Sequence, residues 1–472
     1  MSLIRSGGIS TPPTVTAFGE SLVAQETPII QISSEYGLLN VLTAGLGGTT
    51  SITNSLFTSS TGVGAANVAA IVSAREANQR PGQGLSCKFS ALFTAGQPDS
   101  FQEAGLISSE SAFAFGYNDE SFGILYGSDG GLETQELLIT AGGGNETATI
   151  TVDGNVHLVG ITNSSINENA YEIAEALNLV EAGYRFTSNG GIVTALARLP
   201  DLGGGIFAFS SSSAAASWVE IKNGTIPIET WTPIENWSVK PNYSIDPTKL
   251  NDFKIQIQGN INFYVKNEVT GDFILVHVIE YINTETKPSI SNPTFRIGWA
   301  ARNRGNTSDI IVKGGYGASF VEGMVKYNQV PFGASNIQSG VGLAATNVIS
   351  FRNRSVFKGV ANRAEIIPLI LSLGSDSTKP VIFEVVSNPE TTGFLDWEYL
   401  DEANSLMEIS MSDVPITGTV IAVFTMLGSI EPIDMQKILE FQIPTSYFSI
   451  TARVTQGASS DMIVSGTWKE DL

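Results

Sequence analysis

Three carboxylate constellations hold the residues whose types and spacing could do chemistry: Glu133-Thr-Gln-Glu136, Asn118-Asp119-Glu120, and the run Asp396-Trp397-Glu398-Tyr399-Leu-Asp401-Glu402. Two carboxyls held about 5–10 Å apart can cleave a glycosidic bond, one as acid and the other as base or nucleophile. Glu133 and Glu136 have opposite parity on a strand and would point to opposite faces, which defeats a shared site. Asp396 and Glu398 share a parity, with Trp397 and Tyr399 on the other. The same alternation describes the solvated side of an ordinary strand, so the pair does not by itself mark catalysis. Metal chemistry has less to work with. The chain holds one cysteine, Cys87, and two histidines, His157 and His277, each inside a strand-like pattern and in separate segments. This leaves no Cys/His ligand set of structural type, and the expected catalytic, cofactor-binding and metal residues are none.

Phosphate and nucleophile motifs are missing as well. No Gly-x-Ser-x-Gly elbow, Walker A loop or dinucleotide fingerprint occurs in a strand-turn-helix context. Gly142-Gly-Gly-Asn-Glu and Asp201-Leu-Gly-Gly-Gly lack the lysine or the following helix that cradles a phosphate. Sugar binding asks less, an aromatic platform with a few polar groups and sometimes Ca²⁺ on loop carboxylates. Asn118-Asp119-Glu120 and Ser128-Asp129-Gly130 could form such loops, although turn chemistry accounts for both. Trp231, Trp237 and Trp299 read as packing residues before they read as a ligand shelf.

Composition narrows the classes further. The chain has 472 residues, 48 of them glycine, with only 15% charged residues and 42% hydrophobic ones, which fits a folded chain rich in strands and tight turns. That length implies about two to four domains. The formal charge of −21 comes from 46 acidic and 25 basic residues, with no basic cluster. Such a field repels phosphate backbones and argues against nucleic acid as a partner. A lone Cys87 forms no intrachain disulfide, as suits assembly in a reducing cytoplasm. Met1 to Gly19 lacks the charge and apolar pattern of a secretory signal, and no apolar run approaches the roughly 18 residues of a membrane span. The Asn-x-Ser/Thr triplets at Asn145, Asn163, Asn223, Asn242 and Asn306 are read as chance in a Ser/Thr-rich chain.

The elements that would position these residues are mostly strands. Phe253-Lys-Ile-Gln-Ile-Gln alternates apolar and polar, Gly259-Asn260 turns, Ile261, Phe263 and Val265 alternate again, and Asn267 to Gly271 reverses into Phe273–Ile279. Shorter Phe- and Tyr-rich runs at 85–93, 104–108, 111–117 and 121–126 share that character. The reading is six segments: an N-terminal arm or collar at 1–84, the first half of a β-sandwich at 85–137, an inserted α+β module at 138–230, the second half at 231–325, a linker at 326–362, and a C-terminal β-sandwich at 363–472. The arm could equally supply edge strands to the sandwich, and 67–76 could be helix or strand. In the insert, Asp153-Gly154 turns a hairpin, and Ser165-Ile-Asn-Glu168 opens a helix through Ala170, Ile173, Ala174 and Leu177. Strands follow at 184–186, 191–197 and 206–209. An insert of this kind would project a surface from a rigid scaffold. The C-terminal strands are expected at 366–371, 380–386, 416–426, 439–443 and 447–455.

Leu250-Asn-Asp-Phe-Lys-Ile-Gln-Ile-Gln-Gly, Val269-Thr-Gly-Asp-Phe, His277-Val-Ile-Glu-Tyr, Ser291-Asn-Pro-Thr-Phe-Arg-Ile and Arg304-Gly-Asn-Thr, with Thr16-Ala-Phe-Gly-Glu-Ser-Leu, Phe113-Ala-Phe-Gly-Tyr, Asn388-Pro-Glu-Thr-Thr-Gly and Ile450-Thr-Ala-Arg, resemble a family of virion structural proteins. The family occurs in tailed phages and large DNA viruses, and its central module is similar to concanavalin-A or laminin-G-like jelly rolls, with an insertion that matches the one read here. The resemblance implies a mainly β chain of tandem β-sandwiches acting as a non-enzymatic capsid, tail or fibre component. It would be assembled in the host cytoplasm with other virion proteins and copies of itself, a trimer among the symmetric options, without membrane insertion. The alternative is a lectin-like adhesin recognising a host glycan, and beyond that a polysaccharide-degrading enzyme working through Asp396 and Glu398.

Overall fold

The computed structural model describes residues 26–38, 40–80, 83–108, 110–162, 165–198, 205–239, 244–280, 290, 293–322, 330–391, 393–427, 431–435 and 447–471. Among them the chain is mainly β, with several antiparallel sheets and one α-helix, Ile166–Val180. It divides into two compact units, each built from two separated stretches. One unit is Met1–Gly130 with Ile226–Lys326, and the other is Gly131–Thr225 with Tyr327–Leu472.

The first unit is organised on the strand Leu85–Phe93. One side of it pairs with Asn251–Gln258, in a register that sets Cys87 opposite Ile255. The other side pairs with Tyr316–Glu322, and further along with Ile311–Gly314. A nine-stranded sheet grows outward from it, reaching Phe273–Ile279 on one flank and Leu56–Ser60 and Thr49–Thr53 on the other. An eight-stranded sheet is centred on Thr294–Asn303, paired with Ser100–Ile107 and Val68–Ser73. Side chains alternate along each strand, so Phe89, Phe253 and Phe263 of the first sheet meet Phe113, Phe115, Phe295 and Trp299 of the second in one hydrophobic core. Phe115 lies 4.5 Å from Phe253, ring centre to ring centre. Trp299 is fully buried and its indole N–H donates to the Ser90 carbonyl at 2.9 Å. Gly314 makes room for it: a Cβ there would stand 2.2 Å from Trp299 Nε1.

Of the two readings of residues 1–84, an arm or collar and a source of edge strands, the second describes this unit. From Glu26 onward that stretch supplies Glu26–Ser33, Val41–Leu46, Thr49–Thr53, Leu56–Ser60, Val68–Ser73 and Ala77–Asn78 to the two sheets. Ala69, Ala70 and Ile71 pair with Ala301, Ala300 and Trp299, and Phe57 and Ile71 join the shared core, so the scarcity of large side chains did not signal a missing core. The 67–76 stretch accordingly holds the strand Val68–Ser73. Pro12-Pro13 and the Thr16–Leu22 motif lie outside the described residues.

In the second unit, Glu146–Val152 and Asn155–Ile161 form the hairpin expected at Asp153-Gly154, both turn residues having positive φ, 48° and 81°. Ser165 caps the helix, accepting from the Glu168 N–H, and Ala170, Ile173, Ala174 and Leu177 bury one face. The helix shares a core with Leu137, Ile150, Phe186 and Val193 from a three- and a four-stranded sheet. The strands at 184–189, 192–197 and 208–210 follow the sequence reading within a few residues. This segment is no independent projection, because it groups with Tyr327–Leu472 into one unit.

The C-terminal stretch carries a four- and a six-stranded sheet around Phe351, Phe383, Phe448 and Trp468. The linker expected at 326–362 is corrected here, since Phe332–Val341 and Thr346–Asn353 are long strands of these sheets. Phe332–Val341 is rich in Gly, Ser and Asn, and its ordering comes from pairing with Ser460–Asp471 rather than from local propensity. The short strands Glu398–Tyr399, Met407–Ser410 and Glu431–Asp434 add to those expected, and the strand read at 439–443 lies outside the described residues.

Removing the central indole tests this account of the first core. Trp299→Ala deletes a fully buried ring and its hydrogen bond, and is expected to lower the stability of that unit by about 3–5 kcal/mol in chemical denaturation.

Candidate functional site

The sequence-derived candidates disperse in the structure. His157 sits on Asn155–Ile161, its Nε2 3.1 Å from Glu181 Oε2. His277 belongs to the other unit, on Phe273–Ile279, where its Nδ1 accepts the Ser238 N–H at 3.2 Å and burial lowers its pKa. Among the described residues no group of three His, Cys, Asp or Glu side chains could hold a metal ion. Cys87 is fully buried, and desolvation pushes its thiol far up, so it is not poised as a nucleophile.

The carboxylates are engaged in local structure. Glu133 is fully buried and accepts from Gln135 Nε2 at 2.8 Å and from the Tyr184 hydroxyl at 2.5 Å, while Glu136 is half-buried with a carboxyl raised by burial. Asn118-Asp119-Glu120 forms the turn between Ala112–Asn118 and Ser121–Ser128. Asp119 has φ 54° and donates its N–H to the Ser100 carbonyl. Asp129 likewise takes a positive φ of 64°, and Gly130 donates its N–H to the Glu110 carbonyl. Asp396 accepts weakly from Asn167 Nδ2, at 3.3 Å and 3.5 Å to its two oxygens, whereas Glu398 is exposed. Asp401 accepts from the side-chain amide of Asn404 and caps the N–H groups of Ala403 and Asn404, bonds that hold its carboxyl below the usual range. The tryptophans pack: Trp299 and Trp237 are buried, and Trp231 is half-buried against the edge of Phe101. A surface cleft of about 340 Å³ borders Pro28, Ile30, Ile32, Asn40 and Arg75, and none of the candidates lines it.

One buried charged constellation was not read from the sequence. It centres on Arg352, which the strand Thr346–Asn353 presents directly opposite Glu408 of Met407–Ser410. Arg352 Nε donates to Glu408 Oε2 at 2.5 Å, and both residues are less than a tenth exposed. The same guanidinium lies 4.2 Å from the centre of the Trp397 ring and donates through Nη2 to the Ser188 carbonyl. Asn189 completes the pair by donating to the other Glu408 oxygen at 2.9 Å. These groups come from the helix-bearing stretch and from the C-terminal stretch, and they join the two within the unit. Thr187 and Ser355, with hydroxyls 2.9 Å apart, continue the seam, as does the edge-on contact of Tyr171 with Phe394.

Burial sets the electrostatics of this seam. Desolvation, then repulsion from Arg352 and Arg198, lowers Arg185 to about 10. Burial raises the Glu175 carboxyl, with Arg352 opposing, and pushes the Tyr171 hydroxyl up to about 12 with the help of Glu175. Arg354 stacks 3.9 Å from the centre of the Tyr399 ring and donates to the carbonyls of Glu402 and Ser405. The cations are spent on aromatic faces, carbonyls and one carboxylate, an arrangement suited to locking two pieces of chain together.

A second unread device closes the Ser211–Ala214 loop. Glu146 accepts the N–H groups of Ser212, Ser213 and Ala214 at 2.9–3.0 Å, together with the hydroxyls of Ser212 and Ser213. Those bonds, the hydroxyl of Ser212 foremost, hold its carboxyl far below the usual carboxylate range. Three successive N–H groups converging on one anion form a nest, and the run of serines was the available signal. Comparison with protein-family models and with curated proteins finds no match for the chain.

Two expectations follow. Glu408→Ala strands a buried guanidinium and is expected to cost the second unit about 3–5 kcal/mol, read by denaturant unfolding. Glu146 has a folded-state pKa depressed below its unfolded value. Its stabilisation is therefore present above the ordinary carboxylate range and is lost as pH falls through and below that range. Melting temperature followed from neutral to acid pH should fall more steeply in the wild type than in Glu146→Gln.

Proposed function

We propose that this chain is a non-enzymatic structural component of a virus particle, associated with a capsid, tail or fibre, and that it works through protein–protein assembly. The observation that carries the reading is the convergence of most of its family-like segments. Phe113–Tyr117, Leu250–Gly259, His277–Tyr281, the 291–297 motif and Arg304–Thr307 have their described residues in one unit, most of them on strands of two sheets that share a core, while the Asn388 and Ile450 motifs lie in the other unit. Two such sheets around an aromatic core are consistent with the concanavalin-like jelly roll that the resemblance implies, and the four- and six-stranded sheets of the second unit with a further sandwich.

The chemistry is in keeping with this role. Glu133 and Asp401 are held in local hydrogen bonds, and the Arg352–Glu408 cluster locks two stretches of the chain together. A charge of −21 keeps a protein made in many copies soluble before assembly. Self-association and contacts with other particle proteins, in the host cytoplasm, complete the proposal. Quantitative mass spectrometry of purified particles tests it: the chain is expected at a defined copy number per particle, and its absence from particles would overturn the reading.

A further inference from the structure

We infer that the strand Thr417–Met426 is a self-association surface, which pairs antiparallel with the same strand of a second copy. This rests on the assembly role proposed above and names the surface that would serve it.

Among the described residues this strand is an edge of the six-stranded sheet, paired only with Val381–Glu390. Ala422, Phe424 and Met426 turn inward, opposite Val385, Phe383 and Val381, and pack on the core. The positions between them stay in solvent: Ile421, Val423 and the following Leu427 are 36%, 57% and 59% exposed. An edge strand presents main-chain donors and acceptors that another strand satisfies, and natural edges usually carry charges or prolines that forbid this. Here the protection is missing from the strand itself. No residue between Asp413 and Glu431 is charged, in a chain that carries 46 acidic residues.

The charge pattern selects the occupant. Two copies of a −21 chain repel over most of their surfaces, so they can approach only where a strip is neutral and apolar. An antiparallel two-fold pair centred on Val423 sets Val423 opposite itself and Ile421 opposite Thr425, all neutral and all β-branched. Among the described residues Val41–Leu46 and Asn155–Ile161 are also uncharged edges with exposed apolar side chains. Three further edges fit less well, since Ile228–Pro233 and Ala215–Lys222 carry Glu229, Glu220 and Lys222, and Phe332–Val341 exposes Gly333, Ser335 and Gly340 beside Ile337. A bulge at Ile421 limits the straight edge to a few residues, so one pairing is a small contact that gains strength by repetition in an assembly.

Cysteine cross-linking of the full chain tests the inference, because the native Cys87 is buried and silent. Under mild oxidation Val423→Cys is expected to form disulfide dimers at least tenfold faster than Val269→Cys, a control on an exposed turn. Sedimentation should show concentration-dependent dimers for the wild type that Val423→Lys abolishes, with unchanged circular dichroism. A chain that stays monomeric at all concentrations overturns the inference, as does a dimer indifferent to Val423→Lys or a cross-linking rate equal to the control. A complex formed only with a different particle protein at this strand would also overturn it. These outcomes are read on the isolated chain, so they are independent of whether the protein is found in particles.

Discussion

The fold depends on one backbone constraint, that both edges of the buried strand Leu85–Phe93 must be satisfied by chain far away in sequence. Asn251–Gln258 closes one edge and Tyr316–Glu322, with Ile311–Gly314, the other. A buried N–H or C=O left without a partner costs about as much as the bond it lacks, so each of these pairings is needed to satisfy the strand. The aromatic core then follows geometrically. With the register fixed, Phe89 and Phe253 stack at 5.7 Å and Trp299 fills the space left by Gly314.

The second unit solves a related problem with charge. Its helix-bearing stretch and its C-terminal sheets each have a hydrophobic core, and the seam between them is polar. Arg352 serves three partners at once, the Glu408 carboxylate, the Ser188 carbonyl and the Trp397 face. A buried ion pair adds little net stability over an apolar replacement, but it is intolerant of misalignment, and that suits a joint whose two sides must meet in one register.

What could be read from the sequence was local. Asp153-Gly154 demands a positive-φ turn and Ser165 offers a cap, and both signals sit within a few residues of the structure they dictate. The alternation in 253–258 specified a strand for the same reason. Phe332–Val341 could not be read that way, because its side chains are mostly small or polar and a partner more than a hundred residues distant holds it extended, while Val68–Ser73 is fixed between the nearby Val41–Leu46 and the distant Thr294–Asn303. Arg352 and Glu408 meet across 56 residues, and Glu146 reaches its serine nest across 66 or more; no spacing rule announces such pairs. Among the candidate residues the carboxylates of Asn118–Glu120 were legible as turn formers, while the seam around Arg352 was invisible.

The interleaving of the two units has a consequence for the order of synthesis. The first unit is interrupted by Gly131–Thr225 and waits for Tyr316–Glu322 before the edge of its central strand closes. The second waits longer, since Ser460–Asp471 is an inner strand of its four-stranded sheet. At about 5–20 residues per second, a nascent chain therefore carries open sheet edges for many seconds on the ribosome. Its acidic residues keep neighbouring nascent chains apart during that interval. The neutral strand Thr417–Met426 emerges while the edges that await Phe448–Val454 and Ser460–Asp471 are still open.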